Sequence, residues 1–287
     1  MAAGFARDRI AVAALAVLIL VLLSAVFAPV VTPQNPYDLA QLDILDSKLP
    51  PGAKSLDGKS YWLGTDEQGR DMLSAILYGL RISLGVAVLA TVAALAIGMA
   101  IGLLAGYAGG WTDGLVMRLV DLQLSFPAIL IALVLLAVTG PGVDKIVIAL
   151  IAVQWAYYAR TVRGIVLVEK GKEYVEAARC LAFGNARILF RHILPNCLPP
   201  LTVVATVQVA HAIALEATLS FLGLGVPITS PSLGLLIANG FVHLLSGKYW
   251  ISFFPGVALL ITIVAINLIG DQLRDILNPR LGSHYGA

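Results

Sequence analysis

Apolar residues in this chain come in long blocks separated by polar segments, rather than alternating with period two or recurring along one helical face. A membrane-spanning helix needs about 17–25 mostly apolar residues, so blocks of this length predict spanning helices. We therefore predict an all-α, polytopic membrane protein with about six transmembrane helices. The six blocks cover Ile10–Val31, Ile82–Tyr107, Val120–Val138, Ile146–Thr161, Leu201–Gly223 and Ile251–Ile269.

The first block follows Arg7 and Arg9, as the core of a secretory signal would. Its apolar run is longer than the roughly 7–15 residues of such a core, so we interpret it as an uncleaved first span. The predicted organisation has four parts. They are an N-terminal cytoplasmic tip and first span at 1–31, an external loop with a short helix at 32–80, a core transmembrane domain at 81–270 and a cytoplasmic tail at 271–287.

Composition supports the same class of protein. The chain is 59% hydrophobic and 13% charged, whereas soluble domains average about 45–50% apolar and about 25% charged residues. The net charge of +2 is too small to indicate a nucleic-acid partner. With the N-terminus in the cytoplasm, 12 of the 19 Lys and Arg residues fall on the inner side. The positive-inside rule therefore predicts that both termini are cytoplasmic.

This orientation also places a polar loop, residues 164–198, in the cytoplasm between the fourth and fifth spans. Tyr174, Ala177, Ala178 and Leu181 recur at helical spacing and predict one apolar face. A turn is expected at residues 183–185, and a second short helix is expected to follow and to end at Pro195. The apolar face of that helix would contain Ala186, Leu189, Phe190 and Ile193.

Two interpretations of the loop remain open on spacing alone. Amphipathic helices of this kind can lie on the bilayer surface. Alternatively, the helical pair can insert into a groove on a soluble partner, with Glu176 reaching an arginine there. Cys180 and Cys197 lie in the same loop, but their spacing fits no common zinc motif, and we predict no metal site.

The segment "EAARCLAFGNARILFRHILP" resembles the EAA loop of ABC-transporter permeases. That pattern has a glycine where this chain has Ala182 and an isoleucine where it has His192. Because Gly184 lies two residues after Ala182, we expect the turn to be shifted by about two residues. The positions that match the pattern are Glu176, Ala177, Ala178, Leu194 and Pro195.

Further segments extend the resemblance over nearly the whole chain. Residues 62–87, "WLGTDEQGRDMLSAILYGLRISLGVA", resemble the stretch before the second span in the C-type subunit of dipeptide, oligopeptide and nickel importers. "GYAGGWTD", "RLVDLQLSFP", "EATLSFLGLG" and "GDQLRDILNPRL" are similar to that family too. The chain is thereby identified as a member of the family, which implies the type I ABC importer permease fold.

The resemblance implies a subunit in the bacterial inner membrane that forms half of a translocation path with a homologous B-type permease. Two cytoplasmic ATPase subunits would grip the EAA loop and bind ATP and Mg²⁺, and a periplasmic or lipid-anchored binding protein would deliver the substrate. Di- or oligopeptides are expected as substrates, while nickel chelates, glutathione or another small solute remain open. The residues implied in ATPase coupling are Tyr174, Glu176, Ala177, Ala178, Arg179, Ala182, Gly184, Arg187, His192, Leu194 and Pro195.

No catalytic site or cofactor is expected in this chain. The segment nearest to a nucleotide motif is "GAKSLDGKS", residues 52–60, where five residues rather than four separate Gly52 from Gly58. For the translocation path, Gln208 and His211 are candidates because they are three residues apart, and Glu216 is a third. A hydrogen-bonded packing role inside the protein is the alternative for Gln208 and His211.

Three other features carry predictions. Tandem G-x-x-x-G spacing at Gly98, Gly102 and Gly106 predicts close helix packing, either internal or with another subunit. Residues 226–250 are too broken by glycine and proline to span, so we predict a short external or re-entrant element. A charged external cluster is predicted to clamp the start of the second span. It comprises Gly64, Thr65, Asp66, Gly69, Arg70 and Asp71.

Two functions of other classes also remain open. A self-contained, proton-coupled secondary transporter would use Glu216 or His211 as a relay. Such a transporter usually has an internal repeat, and none is recognised in this sequence. A structural membrane subunit with no conduction role is the third possibility.

Overall fold

The structure is a computed structural model that describes residues 5, 8–55, 58–230 and 232–277, except for the side chain of Leu39. Arg7 in the predicted N-terminal tip and residues 278–287 of the predicted tail lie outside the described residues. The described chain is helical, and its only β-type pairings are the isolated bridges Lys54–Ser60 and Thr65–Asp71.

Eleven α-helices, numbered here in chain order, account for most of the described residues. The described chain also contains 3₁₀ turns at Leu39–Gln41, Ile44–Asp46 and Leu244–Ser246 and a π-turn at Ile188–Ile193. The α-helices are α1 (Arg9–Val26), α2 (Ala28–Val31), α3 (Met72–Ala108), α4 (Gly110–Ser125), α5 (Ala128–Thr139), α6 (Val143–Lys170), α7 (Glu173–Cys180), α8 (Asn185–Arg187), α9 (Leu194–Phe221), α10 (Leu233–Phe241) and α11 (Trp250–Leu277).

Each predicted apolar block lies mainly in helix. In the described part of the chain, four helical stretches are long and apolar enough to cross a membrane: α1, α3, the continuous stretch Asn185–Phe221 that ends with α9, and α11. The bent pair α4 and α5 is a fifth candidate. The fourth predicted block forms α6, which has 28 residues but includes polar side chains. Length and composition therefore support four or five spans and leave the predicted sixth unconfirmed.

The prediction of one continuous helix over Val120–Val138 was wrong. The chain bends by 87° between α4 and α5. Phe126 has extended backbone angles (φ −91°, ψ 142°), because the ring of Pro127 disfavours the helical conformation in the preceding residue. Asp121, near the end of α4, forms an ion pair with Arg160 of α6 and so links the two helices.

The second span also begins earlier than predicted. Helix α3 starts at Met72, ten residues before its apolar block begins at Ile82. Asp71 is the N-cap, and its carboxylate accepts a hydrogen bond from the backbone N–H of Ser74 at 2.8 Å. This cap satisfies one of the free N–H groups at the helix start, which allows the helix to begin outside the apolar region.

Helices α3 and α6 pack closely against each other, and glycine makes this approach possible. A Cβ added to Gly102 would lie 2.5 Å from the carbonyl oxygen of Ala159 and 2.8 Å from Cβ of Val162. Added Cβ atoms at Gly98 and Gly106 would also clash with α6. The G-x-x-x-G series therefore packs inside this chain, which resolves the alternative left open above.

Residues 226–250 contain the short helix α10, in agreement with the predicted non-spanning element. Gly234 lies directly against Ala217 of α9, and Gly240 lies directly against Ser252 of α11. Helix α6 leads into the polar loop and α9 leads out of it. The fold thus joins the loop to the segment that contains α10 through one long helix.

Candidate functional site

The polar loop between α6 and α9 folds as two short helices joined by a turn, as predicted. Helix α7 is followed by a turn, by α8 and by the π-turn Ile188–Ile193, which runs directly into α9. The prediction that Pro195 ends the second helix was wrong. Pro195 lies in the first turn of α9, which continues directly from the π-turn.

The turn lies at Ala182 and is not shifted to Gly184. Ala182 has φ 56°, in the left-handed region, whereas Gly184 has φ −62°. The N–H of Ala182 donates to the carbonyl of Arg179 at 2.9 Å, and that of Phe183 donates to the carbonyl of Ala178 at 3.1 Å. This pair of bonds closes a helix C-terminus of the kind that usually has glycine at the left-handed position.

The buried face of the loop differs in part from the predicted one. Val175 and Ala178 of α7 are buried, in a cluster with Ile188 and Ile193. Leu181 is 68% exposed and Phe190 is 62% exposed, although both were assigned to apolar faces. The apolar positions of α7 extend around more than one side of the helix, and the side containing Val175 is the one that packs.

The outward side of the loop combines charge, small residues and two large apolar side chains. Glu176 makes no ion pair or side-chain hydrogen bond with any of the described residues. The guanidinium of Arg187 lies 5.1 Å from the centre of the Phe183 ring. We call this set the loop surface. It comprises Glu176, Ala177, Arg179, Leu181, Ala182, Gly184, Arg187 and Phe190, all of which are exposed.

Tyr174 anchors the loop rather than extending its surface. Its hydroxyl donates to Glu169 Oε2 at 2.7 Å and accepts from Asn196 Nδ2 at 3.2 Å. Asn196 also donates to the backbone carbonyl of His192 at 2.7 Å, and Lys172 pairs with Glu169 at 2.6 Å. Burial, together with the bond to Glu169, raises the pKa of Tyr174 to about 12, so at neutral pH its hydroxyl remains a donor. The end of α6 is thereby fastened to the start of α9.

The three predicted path residues do not share one open surface. Gln208 is 8% exposed, and its carbonyl accepts from Gln154 Nε2 at 3.0 Å. Glu216 is fully buried and accepts hydrogen bonds from Ser83 Oγ at 2.8 Å and Ser220 Oγ at 2.7 Å. The Glu216 carboxylate is thus satisfied inside the protein, and the burial of Gln208 also favours a packing role over an open path. His211 is exposed.

His211 belongs to a stripe of exposed residues along one side of α9. Positions 207, 211, 214 and 218 recur at spacings of three and four, so they lie one above another on the helix. The stripe is missed by a search for polar residues, since two of its members are apolar. We call it the α9 stripe, and it comprises Val207, His211, Ala214 and Thr218, all exposed in this chain.

The six residues of the predicted external cluster lie together at the N-terminal end of α3. Asp66 and Arg70 form an ion pair at 2.6 Å, with each side chain 1% exposed. Thr65 and Asp71 form a β-bridge, and the carbonyl of Thr65 accepts from Trp250 Nε1 of α11 at 3.1 Å. The cluster therefore joins the start of α3 to the start of α11.

Glycines allow this cluster to form, and neighbouring residues that the sequence did not single out support it. Gly64 and Gly69 have φ of 80° and 75°, which favour glycine. Tyr61 donates to Asp46 Oδ2 at 2.6 Å, and burial together with Asp46 raises the pKa of Tyr61. Asp46 is buried beside the cluster. The sequence did not indicate this, because Asp46 lies about 20 residues before the cluster. In the part of the chain that the structure describes, no three His, Cys, Asp or Glu side chains meet as a potential metal site.

Comparison with known proteins gives concordant results. Residues 98–283 match the family described as the binding-protein-dependent transport system inner membrane component. Residues 2–51 match the N-terminal TM domain of oligopeptide transport permease C. Together the two matches extend over most of the chain.

Relatives and solved structures agree with these families. The dipeptide transport system permease protein DppC of Escherichia coli K12 is 43% identical over 96% of this chain and 91% of its own length. The di/tripeptide transport system permease protein DppC of Pseudomonas aeruginosa is 38% identical over 97% and 90%, respectively. A chain of the inward-facing MetNI methionine ABC transporter superposes with a TM-score of 0.60 at 19% identity, over 72% of this chain and 98% of that one.

Proposed function

Because this chain belongs to the binding-protein-dependent transport system inner membrane component family, we propose that it forms half of the translocation path of an ATP-driven peptide importer. It is a permease subunit of an ABC importer and not an enzyme, since in this family a separate subunit hydrolyses ATP. Family membership argues against the alternative of a self-contained secondary transporter. That alternative would use Glu216 as a proton relay, and Glu216 is buried.

Peptides are the proposed substrates, on the basis of the relatives that carry dipeptide and di/tripeptide transport in their names. The proposed partners are a B-type permease, two cytoplasmic ATPase subunits that hold ATP and Mg²⁺, and an external binding protein. The proposed location is the bacterial inner membrane with both termini in the cytoplasm. Nickel chelates or glutathione would be selected by a different binding protein with the same permease architecture.

The loop surface is the observation that carries the coupling role. An amphipathic helix that lies on a bilayer has an apolar face bordered by basic residues. Here acidic Glu176 and basic Arg179 and Arg187 lie among the exposed apolar side chains Leu181 and Phe190. Such a mixed surface suits a protein groove better than a lipid surface, and the small Ala177 and Ala182 permit close approach. We assign this surface to docking on the ATPase subunits.

The connection to the α9 stripe supplies the mechanical part of the proposal. Residues Asn185–Phe221 form one continuous helical stretch of 37 residues, so a displacement of the loop is transmitted to the stripe around His211. Tyr174 and Glu169 fasten the loop to α6, so both helices would move with it. ATP would drive the change only by binding more tightly when the loops are in one of the two positions. The α9 stripe is the proposed path lining.

The substitution Glu176→Arg tests this proposal. A charge reversal at an ion pair that is buried on docking costs about 2–5 kcal/mol, so we expect recovery of the ATPase subunits with the affinity-tagged permease to fall at least about tenfold. The measurement is co-purification of the complex from detergent, normalised to the amount of permease. Asp271→Arg is the matched control, because Asp271 is exposed near the other cytoplasmic helix end, in α11.

The expected result is loss of ATPase with Glu176→Arg, retention with Asp271→Arg and equal insertion of both variants in the membrane. Undiminished ATPase recovery with Glu176→Arg would contradict the docking role of the loop surface. Equal loss with both variants would show that recovery depends on the charge of the inner face as a whole and not on this surface.

A further inference from the structure

A cleft of about 350 Å³ lies between the outer ends of α3 and α6, and its two ends differ in chemistry. Tyr37, Arg81 and Ser230 line one part of it, while the remaining walls are apolar. Gly85 opens the floor, because nothing lies within 4 Å of the position that a Cβ would occupy there. The apolar lining comes from Ile82, Val86, Leu89, Val143 and Val147.

The polar part lies at the external end of the cleft. The apolar block of α3 begins at Ile82, so Arg81 lies at its outer boundary. The hydroxyl of Tyr37 is one turn further out, where it donates to the carbonyl of Tyr78 at 3.4 Å. Leu89 lies about 12 Å deeper than Arg81 at 1.5 Å per helical residue. The cleft therefore extends from the level of lipid headgroups into the hydrocarbon layer.

Arg81 is exposed, and no ion pair or side-chain hydrogen bond connects it to any described residue. Arg160 and Arg163 of α6, by contrast, form ion pairs with Asp121 and Asp113. An arginine at the outer boundary of a span also runs against the positive-inside tendency. Its planar guanidinium has five donors, which suit the oxygen atoms of a phosphate group.

We propose that this cleft binds an anionic phospholipid of the outer leaflet. The phosphate group would contact Arg81, with the hydroxyls of Tyr37 and Ser230 beside it, and one acyl chain would lie along the floor at Gly85. The volume of the cleft, about 350 Å³, is smaller than one turn of a helix with its side chains, which is about 10–12 Å across and about 5.4 Å in pitch. The cleft therefore suits a hydrocarbon chain better than a polypeptide helix.

Binding of phosphatidylglycerol and phosphatidylcholine to the purified complex in detergent tests the two halves of the site separately. Arg81→Gln is expected to weaken phosphatidylglycerol binding about five- to tenfold, as one basic group near an anionic lipid contributes on that scale. Binding of phosphatidylcholine should change little, and Arg81→Lys should retain most of the preference for the anionic lipid. Glycerol phosphate without acyl chains should not compete.

Gly85→Leu is expected to weaken binding of both lipids, because the new side chain fills the floor. The protein should still fold, since the position is open and leucine forms helix better than glycine. Gly164→Leu is the matched control in α6, where an added Cβ also meets nothing within 4 Å. It lies outside the cleft and should leave lipid binding unchanged.

A photoreactive amino acid in place of Leu89 identifies the occupant directly. We expect an adduct with the mass of a phospholipid. Three results would overturn the proposal: an adduct with the second permease, equal phosphatidylglycerol binding by wild type, Arg81→Gln and Gly85→Leu, or full displacement of the lipid by glycerol phosphate at equal concentration. Lipid binding is read independently of ATPase recovery, so failure here leaves the coupling proposal untouched.

Discussion

Ala182 shows how a single residue depends on the packing of the polar loop. Left-handed backbone costs a residue with a Cβ about 1–2 kcal/mol, and Ala182 adopts it with φ 56° although Gly184 is two residues away. The bonds from Ala182 and Phe183 back to α7, together with the buried Val175 and Ala178, hold the turn at this position. Packing thus overrides the local preference of the chain.

Ala182→Gly should therefore stabilise the permease. Glycine removes the left-handed strain but makes the unfolded chain more flexible, which lowers the free energy of unfolding by about 0.4–1 kcal/mol. The strain relief is larger, so we expect the free energy of unfolding to rise by about 0.5–1 kcal/mol. The measurement is the Tm in detergent. Gly184→Ala is the control and should change stability by less than about 0.5 kcal/mol, because Gly184 has an ordinary φ of −62°. Destabilisation by Gly184→Ala alone would place the turn at Gly184.

Single residues were predictable where the local pattern determines them and not where a distant partner does. The helical pair around Glu176 follows from spacing and from the EAA resemblance. The environment of Glu216 does not, because Ser83 is 133 positions away in sequence. Gln208 is similar, since the side chain that reaches its carbonyl comes from α6. Spacing gives the faces of α9, but only tertiary packing determines which face is covered.

The crossing of α3 and α6 is the element-scale feature on which the core depends. Its closeness comes from Gly98, Gly102 and Gly106, which the sequence pattern identified, although the partner helix could not be named from sequence. Small residues allow two backbones to approach, and dispersion contacts then stabilise the pair within the membrane.

Gly102→Ala tests the crossing. The added methyl group would lie 2.5 Å from the carbonyl oxygen of Ala159, so the helices must separate, at a cost of about 1–3 kcal/mol. We expect a lower Tm in detergent. Gly85→Ala in the same helix is the control and should not lower the Tm, since its Cβ meets nothing within 4 Å. Equal Tm values for both variants would show that the crossing is looser than described.

Capping and helix-breaking residues located the helix ends better than the apolar blocks did. Asp71 before Met72 is an N-cap signal and explains the early start of α3. Pro127 marks the 87° bend between α4 and α5. A prediction from apolar residues alone treated these two helices as one and started α3 too late. Capping residues and helix breakers such as Asp, Gly and Pro therefore locate helix ends that hydropathy does not.

At the scale of the whole molecule, the same helices connect the polar loop with the segment that contains α10. Helix α9 runs from the loop to the region where Gly234 of α10 packs on Ala217. The external cluster joins α3 to α11 through Thr65 and Trp250. A movement imposed on the loop surface by the ATPase subunits would therefore reach the outer side without passing through a flexible link. The central claim is that the loop lies in the cytoplasm and meets those subunits there.

The most direct test is the reactivity of Cys180 toward a membrane-impermeant maleimide. Cys180 is exposed in the loop and Cys197 is buried, so the wild-type chain carries its own probe. We predict rapid labelling in inverted membrane vesicles, no labelling from the external side, and slower labelling when the ATPase subunits are bound. Labelling from the external side, or a rate unaffected by the ATPase subunits, would contradict the account.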